Sequence, residues 1–240
     1  MQTVLIVALT LLASPSIAQT RLVERLFDGF TLWVDCDLRA AVAFFYLAEA
    51  DSGSHTRHGS YLADPEVSAD CQSLETGTFQ AHVPVGAPAY DVGHQVPANH
   101  FDGSEEAIRE TNYWTNLLPQ TASMNRGAWR LTEDIIECLR DEVPTEVWGG
   151  AIWAGNVQDD YFIESHGIPT PSAFWKVIIR TDNREAQAWI IPNGEAPRGS
   201  LDNWLQSVAT IESITGMTFD VSDRSTVPEA SWSYPRSCNP

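Results

Sequence analysis

The chain has 240 residues, with 14 Lys plus Arg against 32 Asp plus Glu, and a formal net charge of -18 at pH 7. That length buries one sizeable core and requires no second domain. The acidic balance excludes a protein that coats nucleic acid with a basic surface, but it leaves room for a locally neutralised cleft.

Residues 1–18 read as a secretory signal. Val4 opens a short apolar-to-small run, and Ser16-Ile17-Ala18 supplies the small residues that a signal peptidase reads. The run is too short to cross a bilayer comfortably, and no later stretch is long and apolar enough. The expected product is a secreted or periplasmic domain over residues 19–240 that engages no membrane. The 4 cysteines suit export and two disulfides, expected as Cys36–Cys71 and Cys138–Cys238 out of three connectivities. No Cys-x-x-Cys pair or His cluster has the ligand spacing of zinc.

Residues 30–34 and 41–47 are β-rich runs around a turn at 35–37. Residues 51–89 are rich in Ser, Gly, Asp and Pro, and read as a long surface excursion held by Cys71. Residues 90–101 then run from a short extended segment containing His94 into an Asn-containing loop. Residues 104–116 are polar and helix-compatible. Leu131, Ile135, Ile136 and Leu139 have helical spacing and predict a helix over 129–140. Residues 145–153 read as a buried strand, with Gly149-Gly150 marking close backbone approach. Strands are expected over 174–180 and 186–191, and an amphipathic helix over 201–215, stopped by Gly216. Helices and strands mix without a βαβ rhythm. The fold class is therefore a single α+β domain with a central, largely antiparallel sheet flanked by helices.

Chemistry concentrates between residues 90 and 133. A lone histidine is more often structural than catalytic, but His94 is followed by Asn116, Asn125 and Glu133. A neutral imidazole serves as a base near physiological pH, and a hard divalent cation such as magnesium accepts a carboxamide oxygen while keeping most of its waters. Arg57 offers a planar fork to a phosphate. Spacing alone makes this set suggestive of phosphodiester hydrolysis without being specific to it.

Linked motifs add specificity. Asp91-Val92-Gly93-His94-Gln95-Val96-Pro97, Thr115-Asn116-Leu117-Leu118-Pro119-Gln120, Asn125-Arg126-Gly127-Ala128-Trp129 and Glu133 occur in order, followed by Pro171-Ser172-Ala173-Phe174-Trp175-Lys176-Val177. This succession resembles the DNA/RNA non-specific endonuclease family, the secreted sugar-non-specific nucleases with a ββα-metal active-site motif. The resemblance implies His94 as general base and Asn125 as direct ligand of magnesium, with manganese as a substitute. It implies Glu133 on metal-bound water, and Asn116 fixing the His94 loop and the substrate. Arg57 matches the family's phosphate-binding arginine by its position in the preceding loop. DNA and RNA, contacted mainly through phosphates and cut to 5′-phosphate products, are the implied substrates, with no obligate protein partner.

Val92 stands where the family carries arginine, which implies weaker substrate binding or a shifted preference, or a replacement of that grip by Arg126 or Arg130. A non-catalytic binding protein on the same fold and a phosphodiesterase for smaller esters are the alternative readings. Tyr113, Trp114, Trp129 and Trp175 are expected in the core, and His55 and His58 in a solvated loop. His100 and His166 are expected in structural hydrogen bonds, and Asp91 in bonds to its own turn. Glu105-Glu106 and Asp159-Asp160 read as acidic surface.

Overall fold

A computed structural model describes residues 21–57, 59–74, 77–155, 159–233 and 238. The expected signal segment and His58 lie outside the described residues. Seven strands form one sheet: β1 (Leu22–Leu26), β2 (Phe30–Asp35), β3 (Ala40–Ala48), β6 (Thr145–Ile152), β7 (Ala173–Arg180), β8 (Ala186–Pro192) and β9 (Leu205–Gln206). They lie in the order β1-β2-β3-β6-β7-β8-β9, with every neighbouring pair antiparallel. Between β3 and β6 the chain builds a separate antiparallel ribbon of β4 (Tyr90–His94) and β5 (Leu117–Thr121). Two expected strands match β2 and β3 closely, and the sheet is antiparallel as its pattern predicts.

Strand β7 shows how this sheet becomes the floor of a site. Phe174 and Ile178 join the core with Ala128, Trp129, Ile135 and Ile136, which come from the helical layer. Trp175, Val177 and Ile179 join a second core, beneath Val208 and Ile211. Period-two alternation thus places Lys176 on the same face as Phe174 and Ile178. Burial on both faces explains why β7 reads as a continuous apolar run. A Cβ at Gly149 would lie 2.2 Å from the Phe44 ring, which accounts for the glycine that the strand pattern singles out.

The helices are short, apart from one. α1 (Glu105–Glu110) is capped by Ser104, whose side chain accepts from the Ala107 amide. It ends sooner than the polar composition suggests, and residues Trp114–Asn116 form a 3-10 turn instead. α2 (Ala122–Met124) runs through a π-helical turn, Asn125–Trp129, into α3 (Arg130–Arg140). α4 (Ile163–His166) and α5 (Val208–Thr215) complete the set.

The helix expected over 201–215 is wrong in its first half. Residues Arg198–Trp204 are 3-10, Leu205 and Gln206 pair with β8, and α5 starts only after Ser207. Ser207 caps α5 by accepting from the Thr210 amide, a competing local bond that helical periodicity does not register. Gly216 closes α5 in the left-handed conformation, as expected. β1 and β5 carry no clear sequence signal. Pro119 argues against a central strand, yet a two-stranded ribbon tolerates it because one edge needs no donor.

Both expected disulfides form, Cys36–Cys71 and Cys138–Cys238. Tyr113, Trp114, Trp129 and Trp175 are each at most 2% exposed, as core aromatics should be. His100 bonds the Tyr46 hydroxyl, with Glu137 3.2 Å from its Nε2, and His166 bonds Ser165 and the Gly77 carbonyl, so both play structural parts. Glu106 pairs with Arg109 at the surface, while Asp159 and Asp160 brace Thr170.

The second disulfide ties the C-terminal tail to α3 across 100 residues of sequence. Removing it as Cys138→Ala/Cys238→Ser is expected to lower unfolding stability by about 2–4 kcal/mol in a denaturant titration. An unchanged midpoint would show that the tail's hydrogen bonds to Gln187 and Trp189 hold it without the link.

Candidate active site

His94 is the last residue of β4, and its surroundings leave little freedom to either its backbone or its ring. The indole Nε1 of Trp129 donates to the His94 carbonyl at 3.2 Å, which fastens the ribbon to the helical layer. Just beyond, the Asn116 side chain accepts from the Val96 amide and donates to the carbonyls of Val96 and Thr111, at 2.8 to 2.9 Å. Asn116 is 0% exposed. Its carboxamide is spent on the loop after His94 and does not reach the cleft.

His94 is 8% exposed. Its Nε2 lies 3.1 Å from the Asn112 Oδ1, an acceptor that fixes the proton on Nε2 and leaves Nδ1 with its lone pair. One Arg57 nitrogen sits 3.1 Å from Nδ1 and 3.0 Å from Nε2. Near-equal distances mark a charge lying against the ring rather than one directed hydrogen bond. Burial first, and the Arg57 charge second, push the imidazole down to about 3, so it is neutral across the physiological range.

Asn125 opens the π-helical turn. Its Nδ2 donates to Asp91 Oδ2 at 2.9 Å, so its carbonyl Oδ1 points away from the carboxylate and has no partner among the described residues. Arg126 grips the same carboxylate through Nε at 2.9 Å and Nη2 at 2.6 Å. Asp91 therefore orients the Asn125 carboxamide, which corrects the expectation that it serves its own turn. The π turn packs closely on the neighbouring backbone. A Cβ on Gly127 would stand 2.4 Å from the Ala196 carbonyl oxygen, and that oxygen accepts from the Ala128 amide at 2.9 Å. Gly127 leaves helical geometry at φ -104, ψ -109.

Glu133 lies on the first turns of α3 and is 7% exposed. Burial raises its carboxyl to about 7, while Lys176 and Arg130 pull it down. Lys176 is the sole lysine of the chain and 0% exposed. Its ammonium donates to the Thr132 hydroxyl at 2.8 Å and lies 3.6 Å from the centre of the Trp129 ring. Burial lowers it to about 8, against the pull of Glu133. Thus a positive charge stands behind the helix turn that carries the acid.

His94, Arg57, Asn125, Arg126, Arg130 and Glu133 all line one open cleft of about 940 Å³. Val92 lines it too, an apolar side chain where a cation is expected, and His55 reaches its rim. Asn116 is the exception. The donor set suits a hard cation: a pre-oriented carboxamide oxygen in a cleft that the Glu133 carboxylate also lines, and, among the described residues, no cluster of three or more His, Cys, Asp or Glu side chains to favour zinc. Sequence reasoning missed Asn112 as the partner of His94, and its identity carries no signal without the fold.

A family model for DNA/RNA non-specific endonucleases matches residues 13–225. A nuclease of Syncephalastrum racemosum is 27% identical over 199 residues, covering 72% of this chain and 62% of the relative. The mitochondrial nuclease EXOG of Danio rerio is 28% identical over 144 residues, covering 53% and 41%. The chain thus spans less than two thirds of the length of these curated relatives. A solved structure of the EndoG/EndoGI complex matches with a TM-score of 0.66 at 19% identity, over 82% of this chain and 84% of that one. At that identity the likeness concerns the fold.

The depressed imidazole gives a test. An unfolded histidine takes up a proton near pH 6.5 that folded His94 refuses until about 3, so its share of stability is present above 6.5 and lost as pH falls towards 3. In a proton NMR titration of the metal-free protein, the His94 ring is expected to stay neutral through pH 5. Arg57→Ala should raise its midpoint. A midpoint near 6.5 in the unaltered protein would contradict the geometry.

Proposed function

The chain belongs to the DNA/RNA non-specific endonuclease family, and from that premise we propose that it is an exported, divalent-metal-dependent endonuclease hydrolysing DNA and RNA to 5′-phosphate products. The observation that carries this reading is a neutral His94 whose Nδ1 meets the Arg57 guanidinium, in the same cleft as an Asn125 carbonyl oxygen left open by the bond from its amide to Asp91.

In the proposed mechanism the polynucleotide lies along the cleft and is held by its backbone. Arg57 presents a fork that no carboxylate engages among the described residues, and it turns from the ring of His94 to the scissile phosphate. Water between His94 and phosphorus gives its proton to Nδ1 as its oxygen attacks, and the bond to the 3′ oxygen breaks. Asn112 stabilises the imidazolium that forms, through the proton on Nε2. Asn125 Oδ1 would hold magnesium, or manganese in its place, and Glu133 would hold water of the ion's shell. The bound cation supplies positive charge against the phosphate and the departing oxygen. Asn116 keeps the segment after His94 in place, and Arg126 and Arg130 offer further backbone contacts. None of these groups reads a base edge, which suits cleavage indifferent to sequence and sugar.

Export is supported by the two disulfides. The relatives do not supply a compartment, since several bear mitochondrial names.

Plasmid DNA and RNA are expected to be degraded in magnesium and spared in EDTA. His94→Ala and Asn125→Ala should each lose about 10²- to 10⁴-fold in rate, the range for a lost acid–base or electrostatic contribution. Equal cutting by His94→Ala would reject the assignment of the base. Gly127→Ala should weaken the response to added magnesium, as seen by titrating activity against metal, because the π turn must shift to clear the Ala196 carbonyl.

A further inference from the structure

Two tyrosines line the cleft among the described residues, and they are placed differently. Tyr90 is 5% exposed, with its ring in edge contact with Tyr161 and Phe162. Tyr61 is only partly buried, and its ring centre lies 6.2 Å from that of His94, tilted by 55°. Hydrolysis by His94, Asn125 and Glu133 leaves this second ring without a part.

The position of Tyr61 is set by backbone. The next residue, Leu62, donates to the Asn112 carbonyl at 3.0 Å and accepts from the Trp114 amide at 2.9 Å, in an isolated bridge to Tyr113. Asn112 is also the residue whose side chain meets His94 Nε2. The phenol ring and the imidazole are therefore located by one short segment. Tyr61 is further braced by Trp114, which is 1% exposed and in edge contact with it at 5.7 Å. A ring held in this way loses little freedom when a second flat group packs on it.

Its surroundings within the cleft are apolar. Val92 stands two residues before His94 and, by strand alternation, on the same face of β4; it lines the cleft, as does Ile108. Val92 and Tyr61 both pack against the main core. Such a surface offers nothing to a phosphate, but it suits the face of a nucleobase. Stacking on an aromatic side chain accepts any base, because every base has a π-face.

We propose that Tyr61 is a stacking platform for the nucleobase next to the scissile phosphate, giving the cleft an aromatic grip where Val92 offers no charge. This rests on the nuclease reading and deepens it, because it makes a strand that carries bases a better substrate than a bare sugar–phosphate chain. It leaves cleavage indifferent to which base is held.

The test uses the full chain and two end-labelled strands of equal length. One is oligothymidylate, and the other carries tetrahydrofuran in place of every nucleoside, so that the phosphates remain and the bases are gone. Wild type should prefer oligothymidylate in kcat/KM. Tyr61→Leu, which keeps an apolar side chain without the ring, should lower that preference about tenfold, mainly through KM. Tyr61→Phe should restore most of it. In a second assay the same strands are titrated by fluorescence anisotropy in EDTA, which leaves His94 intact beside the ring. There Tyr61→Leu should weaken binding of oligothymidylate about tenfold and that of the abasic strand about twofold or less. A wild type that does not distinguish the strands, or equal losses on both, would overturn the platform and leave Tyr61 as packing for Trp114. If wild type hydrolyses neither strand, the nuclease reading fails, while the anisotropy arm still decides whether Tyr61 holds a base.

Discussion

The indole of Trp129 is the joint on which the site depends. It is fully buried, donates to the backbone of His94, and lies under the ammonium of Lys176. Its ring also packs against Phe174 of the central sheet. One side chain thereby couples three elements: the ribbon that ends in His94, the helix that carries Glu133, and the strand that carries the buried lysine. Each is held to the others by directional contacts, so the spacing between His94 and Asn125 is a property of the core.

Around that joint the two working groups are prepared in the same way. A neighbour occupies one polar atom of each side chain; the other atoms are His94 Nδ1, against which Arg57 lies, and Asn125 Oδ1, which has no partner among the described residues. Asn112 takes the Nε2 proton of His94, and Asp91 takes the amide of Asn125. Low exposure then keeps the imidazole neutral, while it raises the carboxyl of Glu133 towards neutral pH. Lys176 opposes that rise from inside the core, where desolvation magnifies a charge. Within the acidic exterior the cleft is lined by Arg57, Arg126 and Arg130, the latter two paired with Asp91 and Asp134.

How much of this was legible in the sequence depended on whether a residue's role is local. His94, Asn125 and Glu133 stand in motifs whose spacing survives folding, since the ribbon and helix follow one another directly. The core tryptophans and both disulfides were legible too, from aromatic placement and from the order of four cysteines. Asn112 and Asp91 act through partners 18 and 34 residues away, which no local pattern reports. Periodicity failed at residues 201–207, where Ser207 caps a later start and Leu205 finds a strand partner instead of a helical turn. Asn116 sat in the right motif, but its carboxamide serves the backbone.

The central claim is that one carboxamide, and no cluster of carboxylates, holds the divalent cation in reach of His94. Anomalous diffraction from crystals grown with manganese tests it most directly. The account predicts a single strong peak in direct coordination with Asn125 Oδ1, with Glu133 one water away. A peak coordinated by Asp91, or by surface acids while Asn125 stays bare, would contradict it.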